Sequence, residues 1–220
     1  MTNGQGPMTH EIPYDRFFSL CEKAFARHGG IFDLPVAAGP YEYLRETFAR
    51  DYPRGRVLDF GCGVKKPLQR VLALGDDRYH SCDSDPLGKF TYGSPEAIPD
   101  GALYEIVAAN QVIEHLGFGE ALHTAAQLAR HVAPGGIFEI GVPNPDHPTR
   151  FLGNPTHLTA WTYGALCALL ELGGLEPVYC ARANKVPGPR WWERPLVNLM
   201  CRVFRMDWCD SVFAVGRRRT

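Results

Sequence analysis

A carboxylate, Asp59, followed closely by two glycines, Gly61 and Gly63, and later by a second acid, Asp83, is a residue set able to bind a nucleoside cofactor. The run VLDFGCG from Val57 to Gly63 reads as a buried strand that stops on Asp59 and enters a turn. Without side chains, that turn lets a ligand approach the backbone closely. YHSCD, Tyr79 to Asp83, reads as a second strand ending in an acid, at a distance that suits a carboxylate accepting hydrogen bonds from ribose hydroxyls. The dinucleotide fingerprint needs a third glycine where this chain has Lys66, so a pyrophosphate-bearing dinucleotide is not expected here. Three histidines are candidate proton acceptors, because ligands sit beyond the carboxyl ends of strands in such sheets: His115 and His147 follow predicted strands, and His157 precedes the last predicted helix.

Five segments in a fixed order give these residues a family likeness. After VLDFGCG and YHSCD come YEIVAANQ from Tyr104 with VIEHL behind it, APGGIFEIGVPN from Ala133, and NPTHLTAWTYGALCALLELGGLEP from Asn154. From about Pro40 onward the chain resembles the class I S-adenosylmethionine-dependent methyltransferases, and its GCGVKKP loop is similar to a subgroup with GCG-x-K-P-like glycine turns. The resemblance implies an α/β, doubly wound, mostly parallel Rossmann-like sheet with helices on both faces and N-terminal cap helices. It implies S-adenosyl-L-methionine as cofactor, contacted by Asp59, Gly61, Cys62, Gly63, Asp83, Ser84, Ser94, Glu96, Asn110 and Gln111. Two departures stand out: only twelve residues separate Asp83 from Glu96, too few for a regular helix plus strand, and Ser94 stands where many relatives carry an acid near the adenine.

The implied reaction is methyl transfer to a small-molecule acceptor, a hydroxyl of a sugar or secondary metabolite, with His115, His147 and His157 as catalytic candidates. An in-line displacement mainly needs its reactants aligned, which is worth about 7–11 kcal/mol, and a hydroxyl acceptor also benefits from a base. No metal is expected. The alternative is a site of Glu114, His115 and His157, similar to the E-x-x-E-H, later H pattern of metal-dependent small-RNA 2'-O-methyltransferases and some quinone-pathway O-methyltransferases, with Gln111 replacing the first glutamate. A further alternative is a partner subunit that has lost catalysis, against which the retained Asp59, Gly61, Gly63 and Asp83 speak.

The elements that must position these groups follow from periodicity. Strands are expected near 56–60, 79–83, 104–110, 136–142, 176–182 and 211–217, alternating with helices near 67–75, 119–132 and 160–172. Residues 14–27 and 41–52 read as cap helices, and His123 and His131 as solvated positions on a surface helix. Residues 183–209 form an unusually long excursion between the last two strands, expected to be a lid over the acceptor, with Trp191, Trp192 and Trp208 as flat surfaces. Its stripe of Leu196, Leu199, Met200, Val203 and Phe204 reads most simply as a helix packed on the sheet edge.

With 220 residues, 45% of them hydrophobic, one domain spanning 1–220 is expected, with residues 1–12 a flexible leader. The net charge of −1 argues against nucleic acid, and local patches aside it gives no sign of an anionic membrane partner. No apolar run is long enough for a spanning helix, so no membrane insertion is expected. Seven scattered cysteines without a C-x-x-C pair suit a reducing cytoplasm, and the resemblance implies small-molecule biosynthesis there.

Overall fold

Val57, Leu58, Ile106, Val107, Ile137 and Ile140 are fully buried, as expected of strands covered on both faces by helices. The computed structural model describes residues 14–183, 190–204 and 206–220; the expected leader and part of the excursion lie outside these. Seven strands form one sheet: β1 (Val36–Ala37), β2 (Val57–Phe60), β3 (Tyr79–Cys82), β4 (Tyr104–Asn110), β5 (Val132–Pro143), β6 (Glu176–Ala183) and β7 (Ser211–Arg217). Their order is β1-β6-β7-β5-β4-β2-β3, with β7 alone antiparallel to its neighbours. β2 lies between β3 and β4, so the chain reverses its direction of sheet growth there. The carboxyl edge of such a switch point opens a crevice.

The helices are α1 (Tyr14–His28), α2 (Pro40–Asp51), α3 (Pro67–Leu72), α4 (Phe118–Arg130), α5 (Tyr163–Leu172) and α6 (Arg194–Phe204). α5 is apolar on all sides and buried along Tyr163–Leu170 between α1, α4 and the sheet, and Thr162 caps it by accepting the Ala165 N–H at 3.3 Å. α1 presents Phe17, Cys21 and Ala24 to that core at helical spacing. Trp161 is 1% exposed, stacks on Phe118 at 5.6 Å and donates from Nε1 to the Ile113 carbonyl at 3.3 Å. This fixes the loop after β4 against the helical layer.

The expected shortage of chain after Asp83 has a structural counterpart. No α-helix or multi-residue strand occupies the segment, which ends in a single 3-10 turn at Pro95–Ala97; it folds back so that Tyr92 bridges Cys82, with the Asp83 N–H on the Tyr92 carbonyl at 3.1 Å. Two expectations fail. His131 is buried, its Nδ1 donating to the Ala102 carbonyl at 2.9 Å, because α4 ends at Arg130 and the chain turns inward. The stripe of α6 is not packed on the sheet: Leu196, Leu199, Val203 and Phe204 are all exposed. The seven cysteines are free thiols.

Candidate active site

The β2–α3 turn is shaped by what surrounds its two glycines. Gly61 has φ +68°, and a Cβ there would lie 2.5 Å from the Val112 side chain, so the turn can close against the loop after β4 only without one. Gly63 has φ +58° and nothing within 4 Å of where a Cβ would project, so its face of the turn is open. Asp83, just past β3, accepts the Gly63 N–H at 2.7 Å on one carboxylate oxygen and the Asp85 N–H at 2.9 Å on the other. The two sequence motifs are thus one hydrogen-bonded unit. Lys66 caps α3 in the left-handed conformation, and its ammonium donates to the Lys89 carbonyl at 2.7 Å and lies over the Phe90 ring.

Asp59 sits beneath the turn, 2% exposed, accepting the Tyr79 hydroxyl at 2.5 Å. Burial pushes its carboxyl up to about 7, against the pull of the Tyr79 hydrogen bond. The Cys62 thiol is also buried, and loss of solvation lifts it to about 12. Asn110 ends β4 and donates to Glu139 at 2.6 Å, while its own carbonyl oxygen is buried without a hydrogen-bond partner. Ser84 and Glu96 are exposed, and the Ser94 hydroxyl holds the Glu96 carboxyl below its usual range. Sequence reasoning did not single out Tyr41 for the site. It comes from α2 and lies close enough to Asp59 and Glu139 for both to raise its hydroxyl, after burial.

On the other side of Gln111, which is itself left-handed at φ +56°, a second constellation forms. Glu114 is 1% exposed, and neither carboxylate oxygen has a hydrogen bond. His115 and His157 each place Nε2 at 3.9 Å from its Oε1, with ring centroids 5.0 Å apart. Desolvation raises the Glu114 carboxyl to about 7. Both rings are oriented through Nδ1, that of His115 on the Thr156 carbonyl at 3.1 Å and that of His157 on the Phe151 carbonyl at 2.9 Å. With Nδ1 donating, His157 Nε2 accepts the Asn154 amide N–H at 3.1 Å, and His115 Nε2 is turned toward Glu114. A cavity of about 360 Å³ lies beside them, lined by Gln111, Pro143, Arg150, Asn154, His157 and Asp210 among others.

His147 is not in this group. It is held by the Thr149 N–H on Nδ1 at 3.2 Å and packs edge-on against Trp208. Burial and then Arg150 lower its pKa. Arg150 and Asp210, paired at 2.5 Å across the cavity, escaped sequence reasoning because nothing in a sixty-residue separation advertises an ion pair. Trp208 lines a second cavity of about 310 Å³ under α6, whereas Trp191 and Trp192 point outward.

The model of a family described as a methyltransferase domain matches residues 37–179, well over half of the chain. The chain belongs to the methyltransferase domain family. Its fold is shared with a S-adenosylmethionine-dependent methyltransferase from Archaeoglobus fulgidus, 17% identical, with 91% of this chain and 99% of that one covered at a TM-score of 0.57. A 1,6-didemethyltoxoflavin N1-methyltransferase from Burkholderia thailandensis, solved with S-adenosylhomocysteine, is 15% identical over 95% and 91% of the two chains, with a TM-score of 0.57. A sugar N-methyltransferase from a Streptoalloteichus species is 17% identical over 100% and 98%, with a TM-score of 0.53. No curated protein sequence matches the chain. The methyltransferase's turn fits its cofactor, S-adenosylmethionine: the face of Gly63 is open, Asp83 stands beside it, and the unpartnered Asn110 oxygen lies at the end of the adjacent strand.

Proposed function

We propose that this methyltransferase transfers the methyl group of S-adenosylmethionine to a hydroxyl of a small molecule, a sugar or other secondary metabolite. When bound, the cofactor supplies a methyl group activated by its sulfonium. In this reading Gly61, Gly63 and Asp83 hold the nucleoside and its amino-acid moiety, with Asp59 and Tyr79 bracing the turn from below. The observation that carries the hydroxyl reading is the buried Glu114 carboxylate, hydrogen-bond-free and with two imidazoles at 3.9 Å, one of which, His157, lines the cavity. An amine acceptor needs only to lose a proton; a hydroxyl gains from a positioned base. His157 lines the cavity and takes the proton on Nε2 once the acceptor hydroxyl displaces the Asn154 amide from it, and the Glu114 carboxylate stabilises the imidazolium that results.

One observation favours a second reading. Imidazoles that ligate a metal commonly anchor the other ring nitrogen on a carbonyl, and both His115 and His157 do so. Glu114, His115 and His157 place their ligand atoms within 4.8 Å of one another, so they could hold a divalent cation, with Gln111 nearby on the same cavity. A terminal RNA hydroxyl as acceptor is disfavoured by the net charge of −1. The test is incubation with methyl-¹³C cofactor and pools of hydroxylated and amino acceptors. A new O-methyl resonance supports the proposal; label found only on nitrogen or carbon sinks it.

A further inference from the structure

Helix α6 carries its apolar residues on the side that a core helix would turn inward. Cys201 is buried at 8% exposure, whereas Leu196, Leu199, Val203 and Phe204 are 59–64% exposed. At about 100° per residue, Leu196, Leu199 and Val203 fall within roughly 60° of one another and nearly opposite Cys201. The stripe therefore points straight away from the protein. Just before the helix, Trp191 is 76% and Trp192 54% exposed, with the Arg190 guanidinium over the Trp192 ring. The stretch from Arg190 to Met206 holds four arginines and a single acid, Glu193, in a chain whose net charge is −1. Arg190, Arg194 and Arg202 are exposed.

We propose that α6 lies along the surface of an anionic lipid bilayer, apolar stripe down, and seats the carboxyl edge of the sheet against it. The helix has eleven residues, and among the described residues no helix is long and apolar enough to cross a membrane, so it rests on the bilayer rather than spanning it. Exposed leucines and a valine on one side, tryptophans just before them and arginines on the flank and the opposite face are what an interfacial helix needs. The arginines' charge complements anionic headgroups while their stems lie on the apolar boundary. A second copy is a poorer occupant, because a two-fold contact would set one arginine cluster against another. The seat is rigid where it rejoins the fold. Asp207 accepts from Arg182 at 3.1 Å and from Asn144 at 2.8 Å, tying the end of the excursion to the ends of β6 and β5.

The test is sedimentation of the full chain with vesicles of equal parts phosphatidylglycerol and phosphatidylcholine, compared with phosphatidylcholine alone. We expect binding to the mixed vesicles at least about tenfold stronger, a blue shift of tryptophan emission, and weakening as salt is raised. Arg202→Ala should weaken binding about fivefold. The pair Leu199→Ser and Val203→Ser should weaken it by at least about tenfold while S-adenosylhomocysteine binding, measured by calorimetry, is unchanged. The proposal is overturned if the protein stays in solution with both vesicle types, or if the double variant sediments as well as the native chain. It is overturned equally if the native chain is a dimer that the double variant converts to monomer.

Discussion

Asp59→Asn gives a stability difference whose pH dependence is set by one buried carboxyl. In the folded protein that group is 2% exposed and ionises near pH 7 rather than 3.8. The folded-state value is raised, so the folded chain keeps a proton that the unfolded chain has released between about pH 4 and pH 7. Stability from this group is fully present below the unfolded value and is lost as pH rises through 7. Raising the group from 3.8 to about 7 corresponds to roughly 4 kcal/mol. Asparagine cannot ionise, and its carbonyl can still accept the Tyr79 hydroxyl. The variant should therefore gain about 4 kcal/mol relative to the native protein between pH 4 and pH 8, most of it by pH 7. Urea unfolding without cofactor at pH 4.5, 6 and 8 measures it. A difference that stays constant across those pH values would show that Asp59 titrates normally, and the account of a dry, protonated carboxyl beneath the turn would be wrong.

Glu114→Gln should lower kcat about 100-fold or more while leaving the affinity for S-adenosylhomocysteine unchanged, because in the proposed function the carboxyl serves the acceptor side; a parallel loss of cofactor binding in calorimetry would place it elsewhere. In the hydroxyl reading chelators leave activity intact, and a full loss restored by Mg²⁺ or Mn²⁺ would instead make Glu114, His115 and His157 a cation site. Trp161→Ala should cost about 3–5 kcal/mol in denaturant unfolding, since a fully buried indole stacked on Phe118 leaves a cavity and strands the Ile113 carbonyl; a cost under about 1 kcal/mol would mean that the region collapses.

The central strands and the glycine turn were legible because each depends on local chemistry. Alternation of apolar runs with amphipathic helices dictates a covered parallel sheet, and Asp59, Gly61, Gly63 and Asp83 mark its switch point in adjacent segments. The pairing of Glu114 with His157 was foreseeable only through a family pattern, since the contact joins two loops. β1, two residues long, carries no periodic signal at all. The outward face of α6 was misread for a physical reason: an apolar stripe says that a helix must be covered, not by what. His131 was placed on a solvated face because one residue at a helix end decides whether a ring points out or in, and helix ends are set by tertiary contacts such as its bond to Ala102. Arg150 with Asp210, and Arg182 with Asp207, are long-range pairs that no spacing rule anticipates.

Calorimetric titration of S-adenosylhomocysteine into the native chain and into Asp83→Ala tests the central claim most directly. The account predicts that the native chain binds it and does not bind NAD. It also predicts that the variant, still folded, binds about 5- to 150-fold more weakly, a loss of about 1–3 kcal/mol. That is the cost of removing a charged acceptor that also ties down the Gly63 turn at 2.7 Å. Equal affinity in a folded Asp83→Ala variant, or NAD binding with no response to the sulfur nucleoside, would contradict it.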